Sequence, residues 1–200
     1  MDDAFFSRVD EGDDAVFYET PRLVTHIDDD AIAFVGELYD ELGVDGDVLD
    51  LMSSWVSHFR TPPRHLTVLG MNMSELAANP MAADRIVHDL NADPHLPLPD
   101  ESIDDAVCCA SVDYLTQPVD AFRDIARVLR PDGRFVCTFS NRVFPTKAIR
   151  GWLYGTEEDR CAIVADYFAR SRVFAPPTVS RRSPRGHRGD PLYAVWATRL

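Results

Sequence analysis

Apolar residues along this chain fall into short continuous runs, and the connections between them are rich in Asp, Pro and Gly. Five runs read as buried strands, at 47–51, 66–70, 85–88, 103–110 and 134–139. Between them the spacing changes to that of a helix. After Asp28-Asp29-Asp30, the residues Ile32, Phe34, Val35, Leu38 and Leu42 share one helical face. Aspartate suits the N-cap there, and Gly43 the C-terminal stop. Val119, Phe122, Ile125, Ala126 and Leu129 define a second amphipathic helix, with Pro131-Asp132-Gly133 as its expected end. A third helix is expected over about 157–169. Beyond the break at Pro176-Pro177 come a strand near 178–180, a basic loop and a last strand at 193–198. Strand alternating with helix predicts a doubly wound α/β fold around a mostly parallel sheet.

Composition narrows the class. At 200 residues and 46% apolar content the chain is long enough for one well-cored domain. No apolar run reaches the roughly 18–20 residues of a membrane helix. The start, Met1-Asp2-Asp3-Ala4-Phe5-Phe6, is acidic where a signal peptide is basic, so a cytoplasmic location is expected. The formal charge of −13 argues against a sequence-independent grip on nucleic acid. The acids are mostly Asp, and the only lysine is Lys147. This balance points to a halophilic source, with a GC-rich genome as the alternative explanation. The four cysteines form no CxxC pair. They read as small buried residues, and no metal site is expected.

The most specific stretch runs from Leu96-Pro97-Leu98-Pro99-Asp100 through Ser102-Ile103-Asp104-Asp105-Ala106-Val107 and Leu115. It ends in Ala121-Phe122-Arg123-Asp124-Ile125-Ala126-Arg127-Val128-Leu129-Arg130-Pro131-Asp132-Gly133. It resembles the later motifs of the class I, Rossmann-like S-adenosylmethionine-dependent methyltransferases, roughly LPFPDxSFDxV followed by ALxExxRVLKPGGxF. Leu69-Gly70-Met71-Asn72-Met73-Ser74 resembles the turn that ends the second strand in that superfamily. Asp50-Leu51-Met52-Ser53-Ser54-Trp55-Val56-Ser57-His58 resembles an uncharacterised branch of it, in which this segment replaces the glycine-rich motif. The resemblance implies a seven-stranded sheet with an antiparallel last strand and helices on both faces. It also implies an N-terminal lid over 1–44, a methyltransferase domain over 45–200, and S-adenosyl-L-methionine as cofactor.

Site residues follow by position. Asp50, Met52, Ser53 and Ser54 stand where the glycine loop would meet the cofactor, Asp50 as acceptor for its ammonium and the serines as donors to its carboxylate. Asn72, with Met73 beside it, stands where an acid usually holds the ribose hydroxyls. Asp89 matches the acid that reads the adenine amino group, and Leu90 would add a backbone contact. Ser111 and Tyr114 should line the methionine end. Asn141, Arg142 and Phe144 are candidates for an acceptor loop suited to an anionic or planar substrate, while Lys147 alone reads as part of a solvated helix start. Tyr18, His26 and Tyr114 are the candidate catalytic groups, His26 because it titrates near neutrality. The run Arg181-Arg182-Ser183-Pro184-Arg185-Gly186-His187-Arg188 reads as a solvated, charge-balancing loop.

The expected activity is methyl transfer to a small molecule. The alternative is a methyltransferase-like module that has lost catalysis and works through a protein partner. A nicotinamide enzyme is disfavoured, because no GxGxxG follows the first strand. The charge pattern makes its own prediction. Where salt screens repulsion between carboxylates, the folded state gains. The urea unfolding midpoint should therefore rise between dilute and molar KCl, and an unchanged midpoint would remove the salt-adaptation reading.

Overall fold

A computed structural model describes residues 3–200; Met1 and Asp2, part of the acidic start noted above, lie outside the described residues. Two short helices, α1 (Asp3–Phe6) and α2 (Asp14–Phe17), precede α3 (Asp29–Leu42). The sheet domain then runs β1 (Asp47–Leu51), β2 (His65–Gly70), α4 (Met73–Ala78), β3 (Asp84–Val87) and β4 (Ile103–Cys109). A 3-10 turn (Val112–Tyr114) leads into α5 (Pro118–Val128), β5 (Leu129–Phe139), α6 (Arg150–Leu153), α7 (Glu157–Ser171), β6 (Thr178–Arg181) and β7 (Tyr193–Thr198). The strand order is β3-β2-β1-β4-β5-β7-β6. The first five strands are parallel, and β7 lies antiparallel between β5 and β6. This is the doubly wound architecture expected from the alternation of strand and helix, with the seven strands that the resemblance implies.

Side chains alternate across the sheet and build two cores. Leu49, Leu51, Phe135 and Cys137 face α5 and α7. Val48, Val107 and Val136 face α3. Adjacent Cys108 and Cys109 divide between the two faces, and all four cysteines are free. Helix α3 is capped as its sequence predicts. Asp28 accepts from the Ala31 N–H at 2.9 Å, and Gly43 closes the helix at φ 64°.

Three expectations need correction. Helix α5 stops at Val128, and Pro131-Asp132-Gly133 lies inside β5. Leu129 already pairs with Ile103, and Pro131 disfavours a helical residue before it. Asp132 takes φ 64°, and a Cβ at Gly133 would sit 2.6 Å from the Asp104 carbonyl oxygen. Lys147 is not solvated. It is 1% exposed, with Nζ 2.9 Å from Asp14 Oδ1 and 3.0 Å from Asp10 Oδ2, and it donates to the Gly12 carbonyl at 2.8 Å. The basic run is partly engaged as well: Arg182 donates to Glu41 at 2.6 Å, and Ser183 is buried.

The Lys147 contacts anchor the N-terminal segment. Arg8 Nη1 donates to both oxygens of buried Asp14, at 2.8 and 2.7 Å, and Asn91 Nδ2 donates to Oδ2 at 3.0 Å. Burial raises the Asp14 pKa, but the bonds from Arg8, Asn91 and Lys147 outweigh it and hold the carboxyl below its ordinary range. A depressed carboxylate stabilises the fold above the unfolded-state pKa, and that stability is lost as pH falls through the folded value. Removing one member of a buried ionic cluster strands the others, at a cost of about 3–5 kcal/mol. Lys147→Met should therefore lower the unfolding free energy by about this amount at neutral pH. A loss below about 1 kcal/mol, typical of a surface pair, would show that the cluster is not an anchor.

Candidate functional site

The carboxyl ends of β1, β2, β3 and β4 open into one cavity of about 240 Å³. The N-terminal segment forms part of its wall. Of the residues singled out by position, Met52, Ser53, Ser54, Asn72, Asp89, Leu90, Ser111, Tyr114, Arg142 and Phe144 line it, together with Tyr18 and His26 from the N-terminal segment. Asp50, Met73 and Asn141 are not among its lining residues. Asp50 instead lines an adjoining chamber of about 70 Å³ with His58 and Tyr39.

The loop after β1 explains how the glycines can be absent. Met52 alone in this loop takes a left-handed backbone, φ 52°. Ser54 and Val56 do not need the conformation that glycine supplies. Side-chain bonds shape the loop instead. Ser53 and Ser57 hydroxyls donate to Asp50 Oδ2 at 2.7 and 2.6 Å, and the Trp55 indole N–H donates to the Val24 carbonyl at 3.0 Å. Burial pushes the Asp50 carboxyl up to about 6, against the lowering effect of the two serine bonds. The Ser53 N–H donates to the Leu69 carbonyl at 2.7 Å, joining this loop to the end of β2.

Several expected donors are therefore already engaged. Ser53 serves Asp50, and the Ser54 hydroxyl donates to Glu75 Oε2 at 2.6 Å. The Ser111 hydroxyl donates to the Cys109 carbonyl at 3.1 Å. Asn72 is the N-cap of α4: its Oδ1 accepts from the Ser74 and Glu75 N–H groups at 2.9 and 3.2 Å. Its Nδ2 donates to the carbonyls of Tyr18 and Glu19, each at 2.9 Å. In this arrangement Asn72 holds the N-terminal segment rather than leaving its amide free for a ribose. Asp89 is less committed. Its Oδ1 accepts from the Asn91 N–H at 2.8 Å in an Asx turn, at the start of the β3 loop.

The other end of the cavity is aromatic. The Phe144 ring lies 5.6 Å from Phe17, 5.1 Å from His26 and 5.9 Å from Tyr114, centroid to centroid. The Tyr114 hydroxyl accepts from the Phe144 N–H at 2.8 Å. Burial raises the pKa of both Tyr18 and Tyr114, which favours the protonated phenols. Desolvation lowers the His26 pKa from its ordinary value. Behind Tyr114, burial pushes the Asp113 carboxyl up to about 7. Arg142 lines the wall but pairs with Asp190 at 2.8 Å. Position along the chain gave no signal for Asp14, Arg22, Glu75 and Asn91, which also line the cavity. They sit on short helices or in loops without periodicity.

A family profile described as a methyltransferase domain matches residues 52–137. The profile spans less than half of the chain, and the fold as a whole is that of the Rossmann-like methyltransferases. A 1,6-didemethyltoxoflavin-N1-methyltransferase of Burkholderia thailandensis, solved with 1,6-didemethyltoxoflavin and S-adenosylhomocysteine, aligns at TM-score 0.62 and 16% identity. That alignment covers 86% of this chain and 80% of the other. An S-adenosylmethionine-dependent methyltransferase of Thermotoga maritima aligns at TM-score 0.61 and 14% identity, over 84% of this chain and 90% of its own. The SpnF cyclase aligns at 0.57 and 15%, over 82% and 80%. These likenesses are of fold. No curated protein gives a significant sequence match. Among the described residues, no helix is long and apolar enough to cross a membrane, and no group of three or more His, Cys, Asp or Glu could hold a metal ion.

Contact between the two loops yields a prediction. A Cβ at Gly70 would fall on the Ser53 carbonyl oxygen and within 3.1 Å of Leu76. Gly70→Ala must therefore push the β1 loop outward, at a cost of about 1–3 kcal/mol for overpacking. Denaturant unfolding of this variant should show that loss, and unchanged stability would mean that the loops are not in contact.

Proposed function

We propose that this protein transfers a methyl group from S-adenosyl-L-methionine to a small acceptor bound between the N-terminal segment and the sheet. The observation that carries the reading is a single cavity reaching from Asp89 and Leu90 at the β3 loop to Phe144 at the β5 loop. A nucleoside cofactor and an acceptor can then lie end to end. Asp89 has a carboxylate oxygen to accept an exocyclic amino group, and Leu90 is a buried apolar wall beside it. The residues fit the adenosine end of the group on this chemistry. For its amino-acid end, the Ser53 and Ser54 hydroxyls and the Ser53 N–H are engaged, so a bound carboxylate would have to displace one of these bonds.

When bound, S-adenosyl-L-methionine would supply a sulfonium-borne methyl group for the acceptor heteroatom, with the neutral thioether as leaving group. The chain's own groups do the rest. The N-terminal segment, described from residue 3, acts as a lid that excludes water, strapped down by Asn72, Glu75 and Trp55. Tyr114 fixes the Phe144 wall through its accepted N–H bond. Neutral His26 accepts the acceptor's proton.

A second reading is a catalytically inactive module that docks a protein partner. It is favoured by the engaged Asn72, Ser53 and Ser54 side chains. Calorimetric titration with S-adenosylhomocysteine in molar KCl separates the two. We expect saturable binding, weakened about tenfold, or about 1.4 kcal/mol, by Asp89→Asn. Absence of binding at millimolar ligand would favour the inactive module. The sign of the pH dependence follows from His26. The base form exists above its pKa, and that pKa is lowered. Single-turnover rates should fall only below the ordinary His value of about 6.5, and His26→Gln should abolish that acid limb. A limb that survives the substitution would remove His26 from the role.

A further inference from the structure

Among the cations at the cavity wall, the least compensated is Arg22. Its backbone N–H donates to Glu75 Oε1 at 2.6 Å, which fixes the main chain. Its guanidinium carbon lies 4.6 Å from the Phe17 ring centroid, 5.5 Å from Phe144 and 5.7 Å from Tyr18. Nη2 donates to the Phe17 carbonyl at 2.9 Å. Nη1 is buried with no hydrogen-bond partner, and among the described residues no carboxylate forms an ion pair with this guanidinium. The contrast with the other cations nearby is clear. Arg142 has Asp190, Arg8 has Asp14, and Lys147 has Asp10 and Asp14.

Aromatic faces hold a guanidinium in place, but their attraction is weaker than a charge-assisted hydrogen bond. A buried donor on a charged group with nothing to donate to carries a desolvation cost that an anion would remove. The carboxylates on the same wall are already satisfied locally. Asp14 takes Arg8, Lys147 and Asn91, while Glu75 takes the Ser54 hydroxyl and the Arg22 main chain. Asp89 follows β3, and β2, β1 and β4 separate that strand from β5, which Phe144 follows. The aromatic end is therefore the cationic end.

We infer that Arg22 is the specificity-determining residue for the acceptor, and that the acceptor is a small planar molecule carrying an oxyanion, with its ring against Phe144 and its anionic group on the guanidinium. The inference rests on the reading of this cavity as a methyl-transfer site, and it names the class of acceptor. Carboxylate and phosphate share the chemistry, since both match the planar fork of Arg.

The test is equilibrium binding of the full chain with saturating S-adenosylhomocysteine, at constant KCl. The probes are benzoate, phenyl phosphate and the neutral isostere benzamide. Benzoate or phenyl phosphate should bind at least tenfold more tightly than benzamide, and whichever of the two is stronger identifies the oxyanion. Arg22→Gln should abolish that preference, and Arg22→Lys should restore part of it. Circular dichroism and the S-adenosylhomocysteine affinity of each variant show whether it has folded. Equal binding of benzoate and benzamide, or an anion preference that survives in a folded Arg22→Gln, overturns the inference. The two readings fail separately. Cofactor-product binding without anion preference removes only the acceptor class. Anion preference at Arg22 without cofactor-product binding removes the methyl-transfer reading and leaves an anion site.

Discussion

The closed form of the cavity depends on one buried carboxylate. Asp14, 5% exposed, receives Arg8, Lys147 and Asn91 at once. Those partners come from the N-terminal segment, the loop after β5 and the loop after β3. Asn91 extends the link, since its Oδ1 accepts from the Thr116 N–H at 2.8 Å and its Nδ2 also donates to the Tyr114 carbonyl. Four pieces of chain that share no periodic pattern are thereby joined at one point. Burial of so many charges is unfavourable unless every partner is present. Two cations, Arg8 and Lys147, face the carboxylates of Asp10 and Asp14, and Glu11 stands 3.7 Å from Arg8 as a third. The cluster's worth lies in geometry as much as in energy. A hydrophobic replacement could hold the segment equally well, but it would not specify the register of Tyr18, Arg22 and His26 against the sheet.

The same economy governs the loop after β1. Glycines in that position allow close approach and a left-handed turn. Here the turn survives at Met52 while the approach is made by another residue, Gly70, from the opposite side. The loop is then held by bonds rather than by freedom of the backbone. Asp50 gathers Ser53 and Ser57, Asn79 donates to the Ser57 hydroxyl at 2.9 Å, and Trp55 reaches the Val24 carbonyl. A non-glycine residue in the left-handed region costs roughly 1–2 kcal/mol, which hydrogen bonds of ordinary strength can offset. The glycine-poor motif is therefore compatible with the fold. What it changes is which groups remain free to meet a ligand, since the side chains that replace the glycines are occupied with one another.

Most of the architecture was legible in the sequence because strand and helix periods are properties of contiguous residues. The five parallel strands, β6 and β7, α3 and α7 fall where the apolar spacing puts them. The end of α5 was misplaced because Leu129 satisfies the helical spacing and the strand pairing equally, and the sheet claims it. The six-residue helix α4 left no periodic trace, although Asn72 followed by Glu75 at the third position is a legible cap. For the site, position along the fold placed Asp89, Leu90, Tyr114 and Phe144 on the cavity. It could not reveal that Ser54 is engaged by a carboxylate 21 residues away, or that Lys147 is reached from a segment 137 residues earlier. Such commitments are tertiary, and residue type alone reads each of these groups as free.

A chain of net charge −13 that receives an anionic acceptor faces an apparent contradiction. Its surface field would repel such a ligand in dilute solution. Salt resolves it in a specific way. At molar ionic strength the Debye length is about 3 Å, so the field of the surface carboxylates dies away before the cavity mouth. A contact between an oxyanion and the half-buried Arg22 guanidinium, set among three aromatic rings, is screened far less. The acidic surface and the cationic pocket then operate at different ranges. The first governs hydration and solubility of the whole chain, and the second reads one group on one ligand. An acidic composition excludes long-range capture of anions, and it leaves short-range recognition by Arg22 intact.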